Sequence, residues 1–478
     1  MMTQHSVEKI GGTSMAATST LFDNVLIAGR SGAELYGRIF VVSAYAGMTD
    51  LLLEHKKSGE PGLYAHFARG DAAWRDALDR VSGAMRERNA QMFVRPESRE
   101  EADRFVHERA ESLRRCLDDL DRLRAHGRFS LKDQLITVRE MLAGFGEAHS
   151  AHSTAVLLRD RGVNAVFVDL TVWSEDDRVS LDQRIRDALE PIDLATQMPI
   201  VTGYAGCEGG MVRRYARGYS EMTFSRLAVV TGASRAIIHK EFHLSSADPK
   251  LVGGERARKI GRTNYDVADQ LANLGMEAIH PRAGRGLRQS EIPLCVRNTF
   301  DRDDEGTLIC GDYRSDEPRV EIVTGVQELH ALQFFEQDMV GEKGYDSRIL
   351  EVLDRRGAWI VSKASNANTI THYLSGSSET VAKAVSDLEE AFPGAIVTTR
   401  PCAMAAVIGS DISAPGLVSR ALDALEQADI AVLALQHQIR NVDVQFVIER
   451  EDFERAVRTL HAALVEDSTA GLRRRAAA

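Results

Sequence analysis

A lysine at the end of a short apolar strand, followed almost at once by two glycines, constrains this chain more than any other feature of its sequence. Residues 7–15 read VEKIGGTSM, so Lys9 precedes Gly11 and Gly12, and Ser14 adds a hydroxyl before an apolar helical pattern. Glycines allow backbone N–H groups to curl around an anion, and the lysine supplies a point charge. A glycine pair after a strand is often only a tight turn. The motif therefore predicts a phosphate-binding loop if similar sites follow.

Three further strand-to-loop sites follow. Residues 39–50 run from an apolar stretch into Ser43 and Thr49, residues 145–150 read FGEAHS, and residues 199–221 combine a strand, a glycine loop and an arginine-rich segment. Four sites of this kind in this order resemble the aspartokinases, members of the amino acid kinase superfamily. The resemblance covers nearly the whole chain.

Composition predicts a large cytoplasmic enzyme. A chain of 478 residues is too long for a single hydrophobic core, which predicts two or three domains. No apolar run reaches the roughly 18 residues of a membrane span, and the N-terminus lacks a signal-peptide core. Five scattered cysteines argue against a disulfide framework or a structural zinc site. A net charge of −11 without a basic stripe makes nucleic acid an unexpected partner.

Two kinds of pattern divide the chain. Residues 1–311 alternate apolar strands with helical patterns, which predicts a layered α/β catalytic domain, and residues 55–130 predict a helical excursion from it. The C-terminal part of the chain resembles paired ACT domains at residues 319–400 and 401–468. A strand at 320–326 is expected to complete the second ACT domain, and residues 469–478 form a terminal tail. The expected fold class is α/β: a three-layer αβα amino acid kinase domain followed by two ferredoxin-like (βαββαβ) ACT domains. A ferredoxin-like dimerisation module that binds no effector remains the alternative.

The resemblance implies roles for the residues of the substrate pocket. Lys9 matches the lysine that contacts the transferring phosphoryl group. Ser43 and Thr49 match hydroxyls that line the aspartate and phosphate pocket, and Glu147 matches the glutamate that receives the substrate α-amino group. Arg217 matches the arginine that binds a substrate carboxylate, a target that suits a guanidinium fork. Lys9 and Arg217 are the expected catalytic residues.

Several positions depart from the family pattern. Glu221 replaces an aspartate but is still expected to bind aspartate, and Tyr219 replaces a glycine. The threonine-aspartate pair of the nucleotide segment is His239-Lys240 here, and a phosphate-contacting lysine is Glu277. Lys240 and Glu277 thus exchange charges, which predicts that they compensate each other. The residues implied to bind ATP and its phosphates are Lys9, Gly11, Gly12, Ser14, Lys240, Asp248 and Lys250.

The implied reaction transfers the γ-phosphoryl group of ATP, with Mg²⁺, to the β-carboxylate of L-aspartate. A carboxylate is already ionised at neutral pH, so positioning and charge neutralisation suffice. The pattern around residues 240–250 and 275–281 looks like the divergent subfamily associated with ectoine biosynthesis gene clusters. The alternatives are a kinase for another amino acid, such as glutamate, and a catalytically impaired amino-acid sensor.

Regulation and metal binding complete the expectations. Ser365, Asn368 and Asn441 are the expected effector contacts. Bulky Gln438 and Arg440 predict that the second effector site is blocked, in a homodimer or higher oligomer joined through the ACT domains. No side chain is expected to bind metal. His149 and His152 lie one helical turn apart but lack a third ligand nearby.

Overall fold

A computed structural model describes residues 4–55, 58–127, 129–171, 179–215, 218–276 and 278–466. The chain forms two compact units, one made of residues up to His243 together with Ile279–Gly311, the other of Leu244–Ala278 together with the residues from Asp312 onward. The kinase domain was predicted over residues 1–311, and that boundary stays a prediction. Within this range the segment Leu244–Ala278 packs with the second unit, since Ala247 and Val252 are buried in that unit's core.

The strands of the described residues are short in the first unit and include two long ones in the second. They are β1 Ser6–Ile10, β2 Arg38–Val42, β3 Ala165–Val168, β4 Met198–Thr202, β5 Arg235–Lys240, β6 Arg262–Asn264, β7 Leu294–Asn298, β8 Thr307–Cys310, β9 Ile322–Phe335, β10 Trp359–Ser365, β11 Thr369–Ser375, β12 Ile396–Ile408, β13 Val432–His437 and β14 Asp443–Ile448.

The α-helices range from single turns to about eight turns. They are α1 Gly12–Ala16, α2 Thr18–Leu21, α3 Met48–Leu52, α4 Leu63–Arg69, α5 Trp74–Met92, α6 Pro96–Ala125, α7 Lys132–Asp160, α8 Leu181–Leu189, α9 Met211–Tyr215, α10 Tyr219–Thr231, α11 Pro249–Val252, α12 Tyr265–Asn273, α13 Pro281–Gln289, α14 Tyr345–Arg355, α15 Ser378–Ala391, α16 Leu417–Gln427 and α17 Phe453–His461. Short 3₁₀ turns cover Gly32–Leu35, Gln337–Met339 and Arg450–Asp452, and π-helical turns cover Phe22–Leu26 and Ala462–Glu466. In this described part of the chain, no helix is both long and apolar enough to cross a membrane.

The sheet of the first unit is mainly parallel. Its strands follow the order β3-β4-β2-β1-β5-β7-β8, and β8 alone in this series runs antiparallel to its neighbour. Ile10 lies opposite Val42 on one side and His239 on the other. Because parallel strands end at the same edge, the loops after β1, β2, β4 and β5 gather there. That edge is where ligands bind in sheets of this kind.

Helices α4, α5 and α6 occupy the range in which helical spacing predicted an excursion. Their apolar faces are buried: Trp74, Leu78 and Val81 on α5, and Val106 and Leu113 on α6. Helix α7 contacts α6 and strands β3 and β4, and it is buried along most of its length. A long helix between the excursion and the sheet therefore carries side chains toward the carboxyl edge of the sheet.

The second unit contains an antiparallel sheet in the order β10-β11-β9-β12-β14-β13. Strands β9 and β12 pair along their lengths, from Ile396 opposite Phe335 to Ile408 opposite Ile322, with a bulge between Cys402 and Met404. One half of each strand joins β10 and β11, and the other half joins β13 and β14. Two βαββαβ modules thus share both central strands. The predicted fold class, a parallel-sheet α/β domain followed by ferredoxin-like modules, is confirmed.

The segment Leu244–Ala278 is held to the C-terminal helix by side-chain hydrogen bonds. The Ser246 hydroxyl lies 2.8 Å from His461 Nε2, and His461 Nδ1 lies 2.9 Å from Glu466 Oε1. Arg258 donates to the carbonyl of Val465, and Arg458 donates to the carbonyl of Leu251. These bonds explain why the segment folds with the second unit.

Buried imidazoles in the first unit make its stability depend on pH. His149, on α7, is fully buried; its Nε2 bonds Asn89 Oδ1 at 2.8 Å, and its ring packs edge-on against Tyr45. Burial lowers the pKa of His149 from its ordinary 6.5 to about 3, with smaller contributions from the charges of His152 and Arg88. The folded state therefore resists protonation. The stability from the neutral ring is complete above pH 6.5 and is lost as pH falls toward 3.

We predict that His149→Gln makes unfolding less sensitive to acid. Between pH 7 and pH 5 the wild type should lose about 2 kcal/mol more unfolding free energy than the variant, since only the wild type must exclude a proton from this ring. Urea denaturation at both pH values measures the difference. His107→Gln, at an exposed histidine, is the control and should show the wild-type loss. An equal loss in wild type and His149→Gln would contradict the assignment.

Candidate active site

The first loop brings Lys9 to the carboxyl edge of the sheet. Lys9 is 8% exposed, and its Nζ lies 3.6 Å from Glu221 Oε1. A Cβ on Gly12 would lie 2.8 Å from the Ala44 carbonyl oxygen, so this position requires glycine if the first two loops are to pack together. The Ser14 hydroxyl is buried and accepts a hydrogen bond from Thr299 at 2.9 Å. Ser14 thus ties the loop to the residue after β7.

The second loop begins at Ser43, directly after β2. The Ser43 amide donates to the Ile10 carbonyl, and its hydroxyl donates to the Ser220 hydroxyl at 3.3 Å. Ser150, on α7, donates its hydroxyl to the Ser43 carbonyl at 2.9 Å. Thr49 lies in the first turn of α3, partly buried. The structure therefore connects Ser43 to both the first loop and the start of α10.

Glu147 is a buried acceptor. It is 3% exposed, and its Oε2 has no hydrogen-bond partner. Burial raises the pKa of Glu147 to about 8, although the charge of Lys9 and backbone bonds from Tyr204 and Ala44 act in the opposite direction. A Cβ on Gly203 would lie 2.8 Å from Oε2, so glycine leaves the space in front of this oxygen open. A buried carboxyl oxygen without a donor is suited to receive a ligand cation.

Glu221 completes the group around Lys9. It lies in the first turn of α10, is buried, and accepts the His280 amide at 2.6 Å. Its carboxylate faces Lys9, and its contact with aspartate stays a prediction. Lys9, Ser43, Glu147 and Glu221 are therefore connected through contacts on the first unit's strands and helices.

The remaining predicted nucleotide residues are distributed differently. Lys240 ends β5 and is partly buried, and its carbonyl accepts the Thr299 amide at 2.8 Å. Asp248 and Lys250 are exposed in the second unit, where Asp248 caps α11 by accepting the Lys250 amide. Arg217 lies outside the described residues. Glu277 also lies outside them, so its compensation of Lys240 stays a prediction.

The two histidines considered for zinc have other surroundings. His152 stacks on Phe105 with 4.2 Å between ring centroids, and His149 bonds Asn89. Within the described ranges, one group of three potential metal ligands lies together, with its atoms within 4.8 Å: His243, Asp301 and Asp304. It includes none of the predicted site residues.

The expected effector contacts lie at two loops of the second unit. Ser365 is exposed at the end of β10, and Asn368 follows in the next loop. Asn441 has a φ of 56°, and its Oδ1 lies 3.1 Å from His437 Nε2. Arg440 forms an ion pair with Asp266. The effector assignment and the blocking role of Gln438 and Arg440 stay predictions.

Sequence reasoning missed a charged network in the core of the sheet. Glu8 accepts from Arg38 at 2.7 and 3.1 Å and lies 2.7 Å from His239 Nε2. Burial alone would raise the pKa of Glu8, but Arg38 and His239 outweigh it and hold this pKa well below its usual range. A glutamate within an apolar strand was the available signal, but its partners depend on the strand order.

Glu140 was also missed. It lies on α7, seven residues before Glu147, and is buried. Its Oε2 accepts from the Tyr204 hydroxyl at 2.5 Å and from the amides of Met211 and Val212, and its Oε1 accepts from the Arg213 amide at 3.0 Å. One carboxylate thus binds the first turn of α9. Helix α7 both presents Glu147 and fixes the helix that precedes Arg217.

We predict that Glu140→Gln loosens α9. A neutral amide replaces one acceptor oxygen by a donor, so the charge-assisted bonds to the helix amides are lost. The amides of Met211, Val212 and Arg213 should then exchange their hydrogens at least about tenfold faster, because each such bond is worth roughly 1.5–3 kcal/mol. Hydrogen exchange measured by mass spectrometry tests this. Glu111→Gln, at an exposed ion pair, is the control. Unchanged exchange in Glu140→Gln would contradict this role.

Comparisons with known proteins agree with this architecture. The family model of the amino acid kinase family matches residues 5–298, and that of the ACT domain matches residues 406–464. The chain is 46% identical over 469 residues to the aspartate kinase Ask_Ect of Stutzerimonas stutzeri strain A1501, covering 98% of each chain.

Solved structures share the fold. Escherichia coli aspartokinase III in complex with aspartate and ADP superposes with a TM-score of 0.71 at 20% identity, covering 96% of this chain and all of that one. Clostridium acetobutylicum aspartate kinase gives a TM-score of 0.72 at 19% identity, again covering 96% of this chain and all of that one. With the kinase-family model matching more than half of the chain and the likeness to Ask_Ect extending over nearly all of it, this chain belongs to the amino acid kinase family, among the aspartate kinases.

Proposed function

We propose that the chain transfers the γ-phosphoryl group of ATP to the β-carboxylate of L-aspartate and forms 4-phospho-L-aspartate. The observation that carries this proposal is Glu147: a buried carboxyl with one unpartnered oxygen, in contact with the loops that hold Lys9 and Ser43. An amino-acid ammonium is the cation that such an acceptor fits. The aspartate and ADP named for the Escherichia coli structure support the same substrates.

The residues act by positioning and neutralisation. Glu147 receives the substrate ammonium, and Arg217 receives a substrate carboxylate. Lys9 places its positive charge where the negatively charged phosphoryl group approaches the attacking carboxylate of the substrate. Glu221, which faces Lys9 at 3.6 Å, holds the ammonium of Lys9 in place before the nucleotide arrives. No strong general base is needed, because the attacking carboxylate is already ionised.

The predicted site residues fit a nucleotide that carries its own Mg²⁺. Lys9 and the N–H groups of the glycine loop offer positive and donor groups to phosphates, and we propose that Gly11, Gly12, Ser14, Lys240, Asp248 and Lys250 contribute to nucleotide binding. None of these belongs to the described group of three potential metal ligands. Mg²⁺ prefers phosphate oxygens and water, and when bound it neutralises the phosphates.

We further propose that the product serves ectoine synthesis and that the chain is a homodimer or higher oligomer joined through its second unit. The name of the relative Ask_Ect is compatible with the ectoine link implied by the sequence resemblance. Exposed apolar side chains lie on both edge strands of the second sheet, Trp359 on β10 and Leu433 and Leu435 on β13. Such edges favour association with another chain.

A hydroxamate assay tests the reaction. Purified protein with Mg-ATP, L-aspartate and hydroxylamine should form aspartyl hydroxamate, and replacing aspartate by glutamate should not. Lys9→Ala should lower turnover by about 10²–10³, as expected for loss of a preorganised charge. Lys363→Ala, at an exposed ion pair in the second unit, is the control. Turnover in Lys9→Ala within about threefold of wild type would remove Lys9 from the mechanism; absence of any product from the wild type would favour a catalytically impaired sensor.

The pH dependence of aspartate use tests Glu147. The free enzyme holds this carboxyl protonated below a pKa of about 8, whereas the ammonium requires the carboxylate. The KM for aspartate should therefore rise as pH falls, by up to about tenfold per pH unit below that value, with a smaller change in the KM for ATP. Glu147→Gln should raise the KM for aspartate and flatten its pH profile. Parallel rises in both KM values would instead indicate general damage.

A further inference from the structure

Three central strands of the first unit share one buried charged network. Glu8 on β1 bonds Arg38 on β2 through both carboxylate oxygens, and its Oε2 lies 2.7 Å from His239 Nε2 on β5. Arg38 also donates N–H groups to the carbonyls of Val25 and Leu26, both at 2.8 Å. The side chains of Glu8, Arg38 and His239 are all at least nine-tenths buried. Both carboxylate oxygens of Glu8 thus have partners within the protein.

The network adds something other than strand pairing. The backbones of β1, β2 and β5 already pair along their lengths. Burying an ionised carboxylate costs several kcal/mol unless it is paired, so such a group tolerates few alternative geometries. The side-chain bonds in addition fix the position of each strand along the axis of its neighbour. A shift of β5 along β1 would break the Glu8–His239 bond.

The position of the network ties it to the active site. Glu8 directly precedes Lys9, and His239 directly precedes Lys240. The His239 carbonyl accepts the Gly11 amide at 3.4 Å, so the same residue contacts the glycine loop through its backbone and β1 through its ring. A threonine side chain at position 239 would be shorter than histidine and could not span the distance of 2.7 Å by which the His239 ring reaches Glu8.

We propose that Glu8 and His239 are positioning residues, which set the height of the Lys9–Gly12 loop against the end of β5 where phosphates bind. The imidazole at position 239 acts only through its bond to Glu8. Replacing both residues should therefore have about the same effect as replacing one of them. This inference rests on the proposed phosphoryl transfer, and it assigns a role to two residues that do not touch the substrates.

Kinetics of His239→Thr, Glu8→Gln and the double variant test the proposal. His239→Thr leaves Glu8 paired with Arg38, so the protein should fold. We expect kcat to fall about tenfold or more and the KM for ATP to rise, with the KM for aspartate within about twofold, because displacement of a reacting group by a fraction of an ångström has effects of this size. His239→Gln, which keeps an N–H donor toward Glu8, should recover most of the turnover. The effects of the single variants should not add in the double variant.

The controls separate positioning from stability. His66→Gln removes another histidine–carboxylate bond, which joins His66 to Asp71 at 2.7 Å on helix α4 and the turn after it. This variant should leave kcat and the KM values for ATP and aspartate unchanged. If His239→Thr lowers only the melting temperature and leaves kcat and the KM for ATP within about twofold, the network is structural only and the proposal is overturned.

Direct binding keeps this test separate from that of the proposed function. If the wild type does not phosphorylate aspartate, the proposed function fails. Calorimetric titration of the same variants with Mg-ATP then decides the inference. Weaker binding in His239→Thr with recovery in His239→Gln supports it, and equal affinities overturn it.

Discussion

A single ionised carboxylate in the middle of a parallel sheet is the constraint on which the first unit depends. Glu8 is buried, so its charge is met by Arg38 on β2, and the His239 ring on β5 adds a hydrogen bond. A slip of β1 by one residue would turn Glu8 to the opposite face and leave both partners without it. The register of the strands, and hence the relative positions of the loops that follow them, is thereby specified by chemistry as well as by packing.

The group of Lys9, Glu147 and Glu221 at the ends of these strands is close to electrical balance before any ligand binds. Lys9 faces Glu221, and the raised pKa keeps Glu147 mostly neutral at pH 7. Under the proposed mechanism, binding an ammonium at Glu147 releases a proton, and binding phosphates at Lys9 brings a second anion beside the carboxylate of Glu221. Each ligand then changes the charge that the other meets. The proposed mechanism thus links the two substrates electrostatically through Lys9 and its acidic neighbours.

Sequence reasoning could reach the loops but not the contacts between strands. Lys9, Ser43 and Glu147 lie in short local motifs, which can be recognised from residues that are close together in the chain. The partners of Glu8 are 30 and 231 residues away in the chain, and only the strand order makes them neighbours. Glu140 was missed for the same reason, since the helix it caps begins 71 residues later.

The strands of the second unit show a different limit. A strand was predicted at residues 320–326, but in the structure β9 continues through the exposed Gln327 and Glu328 to Phe335. A module boundary was predicted between residues 400 and 401, yet β12 continues past Pro401 beside a bulge, where a missing N–H is tolerated. Local polarity and proline content could not distinguish a strand end from an exposed or irregular position inside a longer strand.

Those two continuous strands have a consequence for how such a tail can evolve. The second module takes its fourth strand from the first half of β9, ahead of the first module, whereas the first module has all four of its strands between residues 329 and 402. A recombination breakpoint between residues 400 and 401 would cut β12 and leave the second module without its fourth strand. The second module can therefore be transferred with a complete sheet only together with the segment that opens β9, although its sequence reads as a simple duplication.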